Sequence, residues 1–326
     1  LRIIKADEYD QVVKLSEGIF CYDGVTAQDY FPQYFMKWAS SSNHYIYGLF
    51  VNNELVAAKC DTLLDDGKTL FAQGLRVSKY HRGKGYAAEL HKRTSELRSQ
   101  IVTPRYPIKR TRYAKGVHDG NIDKMIQDTF KIRSSIEYMI TRTGVTTKLQ
   151  NHKFLNVIKR LMKNNPIDVQ VLSVKDAWEY SKIHKELFVR ETFYTDWETY
   201  ETSYENFIIL ANGGSGIFER RFLTMESFDG SSSFASFGFS PRGDGTVLMI
   251  DIFTTCPDTI LQYCYFILTN YENLRTSYSM NTPDHVWLWI PYELEESQIY
   301  QSLLDEIKND FSFYKIHCVY FEENLT

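Results

Sequence analysis

The sequence has few cysteines, and none is spaced as a metal or redox site requires. Its 326 residues include 5 cysteines, an odd number, and no two stand in a Cys-x-x-Cys arrangement. Neither a disulfide framework nor a zinc site is therefore indicated. The 8 histidines show no His-Glu-x-x-His motif and no clustered ligand spacing, so no metal ion is predicted.

The sequence also lacks a long apolar run and an excess of basic residues, which argues against membrane and nucleic-acid partners. No run of about 18 apolar residues is present, so no membrane-spanning segment is predicted. Lys and Arg number 37 against 41 Asp and Glu, a formal net charge of -4, whereas nucleic-acid-binding proteins usually carry a basic face. No charged and then apolar leader opens the chain, although Leu1 in place of Met leaves a removed leader open. We expect a cytoplasmic, soluble protein without a nucleic-acid or membrane partner, and the oligomeric state is not predicted.

The length suits two domains. Hydrophobic residues make up 43% of the chain and charged residues 24%, so each half can bury a core of its own, and domains usually hold about 150 residues. A basic amphipathic stretch over 150–165 ends at Pro166. We predict a first domain over residues 1–147, a connecting helix over 148–166 and a second domain over 167–326.

Apolar periodicity and turn residues predict alternating helices and strands in the first half. The predicted helices are Asp7–Phe20, Asp29–Ala39, a helix of about three turns from Ala87, and Asn121–Phe130. The predicted strands are Leu1–Lys5, His44–Val51, Leu55–Leu63, Thr69–Val77, Pro107–Ala114 and Ser134–Thr141.

The second half repeats part of this order. Val169–Val174 resembles Leu1–Ala6, and strand Thr246–Phe253 with helix Ile260–Leu268 echoes strand Thr69–Val77 with its helix. Identical residues are few, so the pattern suggests a duplicated fold without proving one. Later strands are predicted at Trp287–Ile290 and Ile316–Phe321.

A loop between a strand and a helix, Tyr80–Ala87, carries the main functional signal. Gly83 and Gly85 let the backbone curl tightly. Successive N–H groups at a helix N-terminus then point into one concavity that can hold a diphosphate, and Arg82 and Lys84 add positive charge. The alternative is an ordinary glycine turn before a surface helix. The loop matches neither the Walker A pattern nor Gly-x-Gly-x-x-Gly.

Several short motifs resemble a known family. Arg82-x-x-Gly85-x-Ala87 fits the Arg/Gln-x-x-Gly-x-Gly/Ala signature of the GNAT superfamily of N-acetyltransferases, in its characteristic place after a strand. The loop and two further motifs resemble the histidine N-acetyltransferase family and its close relatives. These are Asp29-Tyr-Phe-Pro-x-Tyr34 with Trp38, and Gly74-Leu-Arg-Val77.

The resemblance implies a fold and a co-substrate. The fold is an α/β (α+β) GNAT fold, a mixed and mostly antiparallel sheet flanked by helices, followed by a second, degenerate GNAT-like domain. In GNAT enzymes the strand before the loop pairs with the pantetheine arm of acetyl-CoA, the loop amides hold the pyrophosphate, and a residue after the next strand often contacts the CoA arm. The positions that match are Leu75, Arg76, Val77, Arg82, Gly83, Lys84, Gly85, Tyr86, Ala87 and Asn121.

The same resemblance places the acceptor amine over the first two helices, between Glu17 and Trp38. Tyr30, Tyr34 and Trp38 could flank an imidazole ring, or they could pack as an aromatic core face, which is favoured for at least two of the three. Arg76 could hold the carboxylate of a free amino acid, or it could face solvent from its strand.

The catalytic groups depart from the common GNAT pattern. Gln73 stands where many members carry a carboxylate, and an amide cannot act as a base. The helix that begins at Asn121 has no tyrosine to protonate the leaving thiolate. Candidates for the catalytic groups, each with an alternative role in packing or at the surface, are Glu17, Tyr22, Asp23 and Tyr138.

The predicted reaction is direct attack of an amine on acetyl-CoA, with a free amino acid, above all L-histidine, as the acceptor. The alternatives are another small amine, a peptide N-terminus, or a catalytically idle acyl-CoA-binding protein. In the second half, Thr254–Asp258 lacks the loop signature, and Pro257 has no N–H for a phosphate nest. No acetyl-CoA binding is expected there. The basic run Lys109–Arg112 is interpreted as a solvated face, or otherwise as a CoA phosphate contact.

Overall fold

The structure is a computed structural model of the chain. It describes residues 1–19, 21–22, 25–26, 29–117, 121–132, 135–148, 151–162, 167–195, 197–213, 220–227, 229–242, 245–276, 285–310 and 313–325.

Helices and strands alternate along the chain, close to the predicted order. The helices are α1 (Tyr9–Ser16), α2 (Tyr30–Ala39), α3 (Tyr86–Ile101), α4 (Ile122–Ile132), α5 (Asn151–Leu161), α6 (Val174–Ile183), α7 (Tyr204–Ala211), α8 (Asp258–Thr276) and α9 (Gln298–Asp310). The strands are β1 (Arg2–Ile3), β2 (Cys21–Tyr22), β3 (Val25–Thr26), β4 (His44–Val51), β5 (Glu54–Leu64), β6 (Thr69–Val77), β7 (Arg110–Val117), β8 (Ile136–Lys148), β9 (Gln170–Leu172), β10 (Thr192–Thr195), β11 (Glu198–Glu201), β12 (Arg221–Glu226), β13 (Ser232–Arg242), β14 (Gly245–Thr254), β15 (His285–Pro291) and β16 (Phe313–Asn324).

The first compact unit consists of residues 1–114, 135–137 and 321–326. Its sheet has the order β1-β4-β5-β6-β7. Neighbouring strands are antiparallel except β6 and β7, which are parallel and are joined through α3, because a parallel pair requires a long crossover. Successive side chains of β4 point to opposite faces of the sheet, so the strand contributes to the packing on both faces. Ile46 packs with α1 and α2, and Tyr47 packs with Leu90 of α3.

The second compact unit consists of residues 115–134 and 138–320. Its strands follow the order β8-β15-β14-β13-β12-β9, and again a single pair among these, β14 with β15, is parallel, with α8 as the crossover. A small hairpin, β10–β11, lies in the chain between α6 and α7, as β2–β3 lies between α1 and α2. The second unit thus repeats the order of the first, as the sequence suggested.

The compact units follow other bounds than the predicted domains: the second unit already begins at residue 115, and the end of the chain belongs to the first unit. The Phe321 ring stacks on Tyr113 with 5.1 Å between ring centroids. Arg112 Nε donates to Glu322 Oε2 at 2.7 Å, and the Leu325 N–H donates to the Lys109 carbonyl at 2.8 Å. Arg112 is only 1% exposed. Both interpretations of the basic run, a solvated face or a CoA phosphate contact, are therefore wrong for Arg112, whose charge is paired inside the unit.

The stretch predicted as a connecting helix forms α5, which packs into the core of the second unit. Phe154, Val157 and Ile158 are at most 1% exposed and share a hydrophobic cluster with residues of α8 and α9, such as Leu261 and Ile307. The amphipathic pattern of α5 therefore reflects burial of one helix face in a domain core.

Candidate functional site

Strand β6 carries a bulge at Gly74. The pairing register with β5 shifts between Ala58 and Cys60, so Gly74 and Leu75 together stand opposite one residue of β5. Gly74 has a φ of +66°, and a Cβ there would lie 2.9 Å from atoms of the Phe31 ring. Only glycine fits both conditions without strain. Bulges bend a strand and re-aim its groups, often beside active sites.

Beyond the bulge, β6 runs on past the end of its described pairing with β7. The parallel pairing with β7 ends where Ala72 meets Tyr113, although β6 continues to Val77. Among the strand pairs that the structure describes, residues 73–77 pair with β5 alone. Unpaired N–H and C=O groups on such an edge can bind another extended chain. The predicted cofactor-binding residues Leu75 and Val77 lie in this segment.

The glycine loop leads from this edge into α3. Gly83 and Gly85 have φ values of +75° and +79°, and a Cβ on either would meet no atom within 4 Å. Gly85 is the N-cap of the 16-residue helix α3 and supplies no side-chain cap. The first N–H groups of a helix have no partner within it, so the amides of Tyr86 and Ala87 stand at an uncapped, positive helix end. Space in front of both glycines is therefore free for an anion.

Cationic side chains surround the loop. Arg82 and Lys84 are exposed, and Lys84 Nζ lies 3.5 Å from His81 Nδ1. Lys79 Nζ lies 3.6 Å from Glu17 Oε2, and both side chains are largely exposed. Because water screens both charges, this exposed ion pair adds little stability. The predicted base Glu17 thus lies beside the loop with its carboxylate in solvent.

Arg76 is buried and already paired. Its Nε donates to Asp29 Oδ2 at 2.7 Å and its Nη2 donates to Asp29 Oδ1 at 2.6 Å, while Nη1 donates to the Leu75 carbonyl at 3.0 Å. Burial opposes the charge, but attraction to Tyr30 and Asp29 outweighs it, so the pKa of Arg76 lies above its usual value. The solvent-facing interpretation is wrong, because Arg76 is 7% exposed. A role toward a substrate carboxylate stays a prediction.

The Arg76–Asp29 pair also positions α2, which the sequence analysis did not foresee. Asp29 is the N-cap of α2, and its Oδ1 accepts the N–H of Phe31 at 3.0 Å. One buried carboxylate therefore fixes both the start of α2 and the strand just after the bulge. The sequence does hint at this role, because an aspartate directly before a predicted helix is a common N-cap.

The aromatic face of α2 packs into the first unit. Tyr34 and Trp38 are 8% and 2% exposed, which confirms the packing interpretation for these two, and Tyr30 is half-buried. Tyr34 stacks on Trp38, and Trp38 stacks on His44, with centroid distances of 5.7 and 5.6 Å. Burial, and then the charge of Lys37, lower the pKa of His44 to about 4. His44 is therefore neutral at neutral pH.

Two glutamines differ in how their amides are used. Gln73, the predicted catalytic position, donates through Nε2 to Thr62 Oγ1 at 2.7 Å. Gln33, which the sequence analysis missed, has a buried side-chain oxygen and nitrogen, and neither has a hydrogen-bond partner in the part of the chain that the structure describes. Such unsatisfied amides are rare. Gln33 follows Tyr30 by three residues and precedes Lys37 by four, so all three share one helix face.

The remaining predicted residues belong to the second unit or lie outside the described side chains. Asn121 Oδ1 accepts the N–H of Lys124 at 2.9 Å, which caps α4, and Tyr138 donates to Thr141 Oγ1 at 3.2 Å. Both belong to the second unit. The side chain of Tyr22, and Asp23 as a whole, lie outside the described residues. The roles of these four residues in cofactor binding or catalysis stay predictions.

The corresponding turn of the second unit is internally bonded. Thr254 Oγ1 accepts the N–H of Cys256 at 3.0 Å and the hydroxyl of Thr259 at 2.9 Å, and all three residues are buried. α8 begins directly afterwards at Asp258. The Cys256 N–H and the Thr259 hydroxyl are therefore already engaged within the turn.

Within the described ranges, no helix is long and apolar enough to cross a membrane. The same residues contain no group of three or more His, Cys, Asp or Glu side chains placed to hold a metal ion.

The class of fold follows from a solved structure. A tandem GNAT protein from the clavulanic acid biosynthesis pathway matches 99% of this chain and 97% of its own length, with a TM-score of 0.57 and 11% identity. No family model matches the sequence. The chain has a GNAT fold with two GNAT-like units, which explains the strand–helix–strand order present in both.

Two curated relatives are histidine N-acetyltransferases. The protein of Oreochromis niloticus is 31% identical over 101 residues, which are 31% of this chain and 27% of that protein. The protein of Scomber australasicus is 29% identical over 110 residues, 33% of this chain and 30% of that protein. The matched part therefore spans less than a third of each relative. The chain resembles histidine N-acetyltransferases.

Proposed function

We propose that this protein is an N-acetyltransferase that moves acetyl from acetyl-CoA to the α-amino group of a free amino acid, with L-histidine as the favoured acceptor. The observation that carries the proposal is the continuous path in the first unit from residues 73–77 of β6 through the Gly83–Gly85 loop to the uncapped start of α3. The names of the curated relatives support the acceptor.

In this proposal, the first unit binds acetyl-CoA mainly through its backbone. The edge groups of residues 74–77 pair with the amides of the pantetheine arm, and the N–H groups of Gly85, Tyr86 and Ala87 hold the pyrophosphate. Arg82 and Lys84 add charge from the solvent side. The thioester supplies an activated acetyl group, and an edge N–H of Leu75 or Val77 stabilises the growing negative charge on its oxygen.

The acceptor amine must be neutral to attack. Gln73 cannot remove a proton, and its amide is engaged with Thr62. Glu17, an exposed carboxylate beside the loop, is the candidate base in the described part of the first unit, acting directly or through water. Holding amine and thioester at attack distance supplies much of the remaining rate enhancement.

Release of CoA thiol from acetyl-CoA, with the twenty amino acids tested singly, decides the proposal. We expect turnover with histidine well above that with any other amino acid. Turnover with another amine alone would keep the acetyltransferase and discard the histidine assignment. Acetyl-CoA binding without turnover on any amino acid would favour a larger acceptor or an idle acyl-CoA-binding protein.

We propose that the side-chain amide of Gln33 forms hydrogen bonds to the side chain of the acceptor. An amide offers one acceptor and a donor group, which match the N–H and the bare nitrogen of a neutral imidazole. We expect Gln33→Leu to lower kcat/KM for histidine about tenfold relative to the best apolar amino acid, the equivalent of one neutral hydrogen bond. Steady-state kinetics with both acceptors measure this ratio.

The matched control is Gln11→Leu on α1, whose side chain accepts the N–H of Leu55 at 3.2 Å. That change should leave the ratio between the two acceptors unaltered. An unchanged ratio in Gln33→Leu, with an active wild-type protein, would remove Gln33 from the acceptor site.

A further inference from the structure

A buried cluster of charges lies in the second unit around Asp251. Its Oδ1 accepts from Arg142 Nη1 at 2.9 Å, and its Oδ2 accepts from Arg220 Nη1 at 2.7 Å and from Thr195 Oγ1 at 3.0 Å. Asp251, Arg142, Arg220 and Thr195 are each at most 2% exposed. Two guanidinium groups and one carboxylate leave one positive charge without a counterion within this cluster.

Arg142 uses its terminal nitrogens fully. Besides Asp251, Nη1 donates to the Tyr194 carbonyl at 3.0 Å. Nη2 donates to the carbonyls of Ile252 and Trp289 at 2.9 and 3.0 Å. The terminal nitrogens of Arg142 therefore have no N–H left to bind a further anion.

Arg220 is different, because one edge of its guanidinium has no hydrogen-bond partner among the described residues. Nη1 donates to Asp251 and to Ser236 Oγ at 2.8 Å. Nε and Nη2 are buried, and neither has a hydrogen-bond partner in the described residues. These two nitrogens form the side-on edge of the guanidinium, which presents two parallel N–H groups. That edge has the geometry that binds a carboxylate through both oxygens.

Burial of Nε and Nη2 without an acceptor is unfavourable. A buried donor without an acceptor loses its hydration without compensation, and the penalty is larger when the donor is charged. A planar anion with two oxygens removes both deficits at once, because it satisfies Nε and Nη2 and balances the excess charge. We propose that Arg220 binds a small carboxylate in the second unit.

The position in the fold favours a ligand site. Ser236, Asp251 and Trp289 are cross-strand neighbours on β13, β14 and β15, and Thr195 belongs to the β10–β11 hairpin between α6 and α7. In the first unit, the equivalent chain between α1 and α2 is where the acceptor is expected to enter. The second unit thus keeps an acceptor-like carboxylate site beside a turn that lacks the cofactor loop. Carboxylate binding at Arg220 does not depend on acetyltransferase activity.

Thermal unfolding in acetate tests this site. The full chain is unfolded at pH 7.5 and constant ionic strength while sodium chloride is replaced stepwise by sodium acetate. We expect Tm to rise with acetate, and at ten times the Kd the folded state is favoured about elevenfold. Arg220→Lys should abolish the rise, because lysine keeps a charge for Asp251 but has no side-on edge.

The matched control is Arg221→Lys, the next residue, whose side chain is exposed and whose replacement should leave the acetate response intact. An equal response in Arg220→Lys, or none in the wild-type protein, would overturn the proposal. If Arg220→Lys does not fold, hydrogen exchange of the wild-type protein in acetate and in chloride decides. Protection of peptides covering 192–195 and 220–226 supports the site, and no change there contradicts it.

Discussion

Replacing Gly85 by glutamate is expected to abolish acetyl-CoA binding while the chain stays folded. Gly85 is the N-cap of α3 at a φ of +79°, and no atom lies within 4 Å of an added Cβ. The side chain therefore meets open space, where its carboxylate opposes the pyrophosphate. Two such charges 4 Å apart repel by about 4 kcal/mol near a protein surface, which corresponds to more than about a hundredfold in Kd. Titration calorimetry with acetyl-CoA measures the loss.

Two variants separate charge from backbone strain. Gly85→Ala carries the same left-handed strain of about 1–2 kcal/mol without the charge, and it should lose much less affinity. Gly230→Glu places the same side chain at a φ of +74° with nothing within 4 Å, but in the second unit, and it should bind as the wild-type protein does. Equal affinity in Gly85→Glu and the wild-type protein would mean that the phosphates are held elsewhere.

Replacing Gly74 by alanine is expected to reduce kcat/KM for acetyl transfer about a hundredfold, the effect of a displacement of about 1 Å at a reacting centre. The alanine would be strained at a φ of +66°, and its Cβ would meet the Phe31 ring at 2.9 Å. Both effects favour loss of the bulge, and in the proposed function the bulge directs the N–H groups of Leu75 and Val77 toward acetyl-CoA. Initial rates of CoA thiol release, with urea unfolding in parallel, provide the measurement.

Gly67→Ala is the matched control in the same unit. Gly67 has a φ of +77°, and its added Cβ would lie 2.8 Å from Tyr106 Cδ1, so the backbone strain and the ring clash are alike. Gly67 lies in the turn that precedes β6, whereas Gly74 lies in the bulge itself. We expect the two variants to lose similar free energy of unfolding and only Gly74→Ala to lose turnover. A parallel loss of turnover in both would assign the effect to stability.

The sequence predicted the local elements of this fold well, because hydrophobic periodicity and turn residues act over a few residues. β6 has the predicted bounds, and α3 begins within one residue of the expected start. The pairing of Arg112 with Glu322 joins residues 210 positions apart. No local pattern records such a contact, so the completion of the first unit by the chain terminus could not be predicted.

The site shows the same division. Its glycine loop was identified from sequence because tight turns and helix starts need particular residues. The bulge at Gly74 had a weaker signal, an isolated glycine within a strand pattern. Arg76 was assigned to solvent or substrate, since its burial against Asp29 depends on how α2 packs on β6. The sequence does not single out Gln33, which is simply one polar residue in an aromatic helix. That its amide is buried without a hydrogen-bond partner among the described residues is evident only in the folded chain.

Hydrogen exchange with and without acetyl-CoA tests the central claim most directly, because it locates the co-substrate on the chain. The claim is that residues 73–77 of β6 and the loop before α3 hold acetyl-CoA, whereas the internally bonded turn of the second unit does not. We predict protection of peptides covering residues 73–77 and 82–88, with no change over 254–260. Protection over 254–260 in place of the first two segments, or saturating acetyl-CoA without protection of either, would contradict the claim.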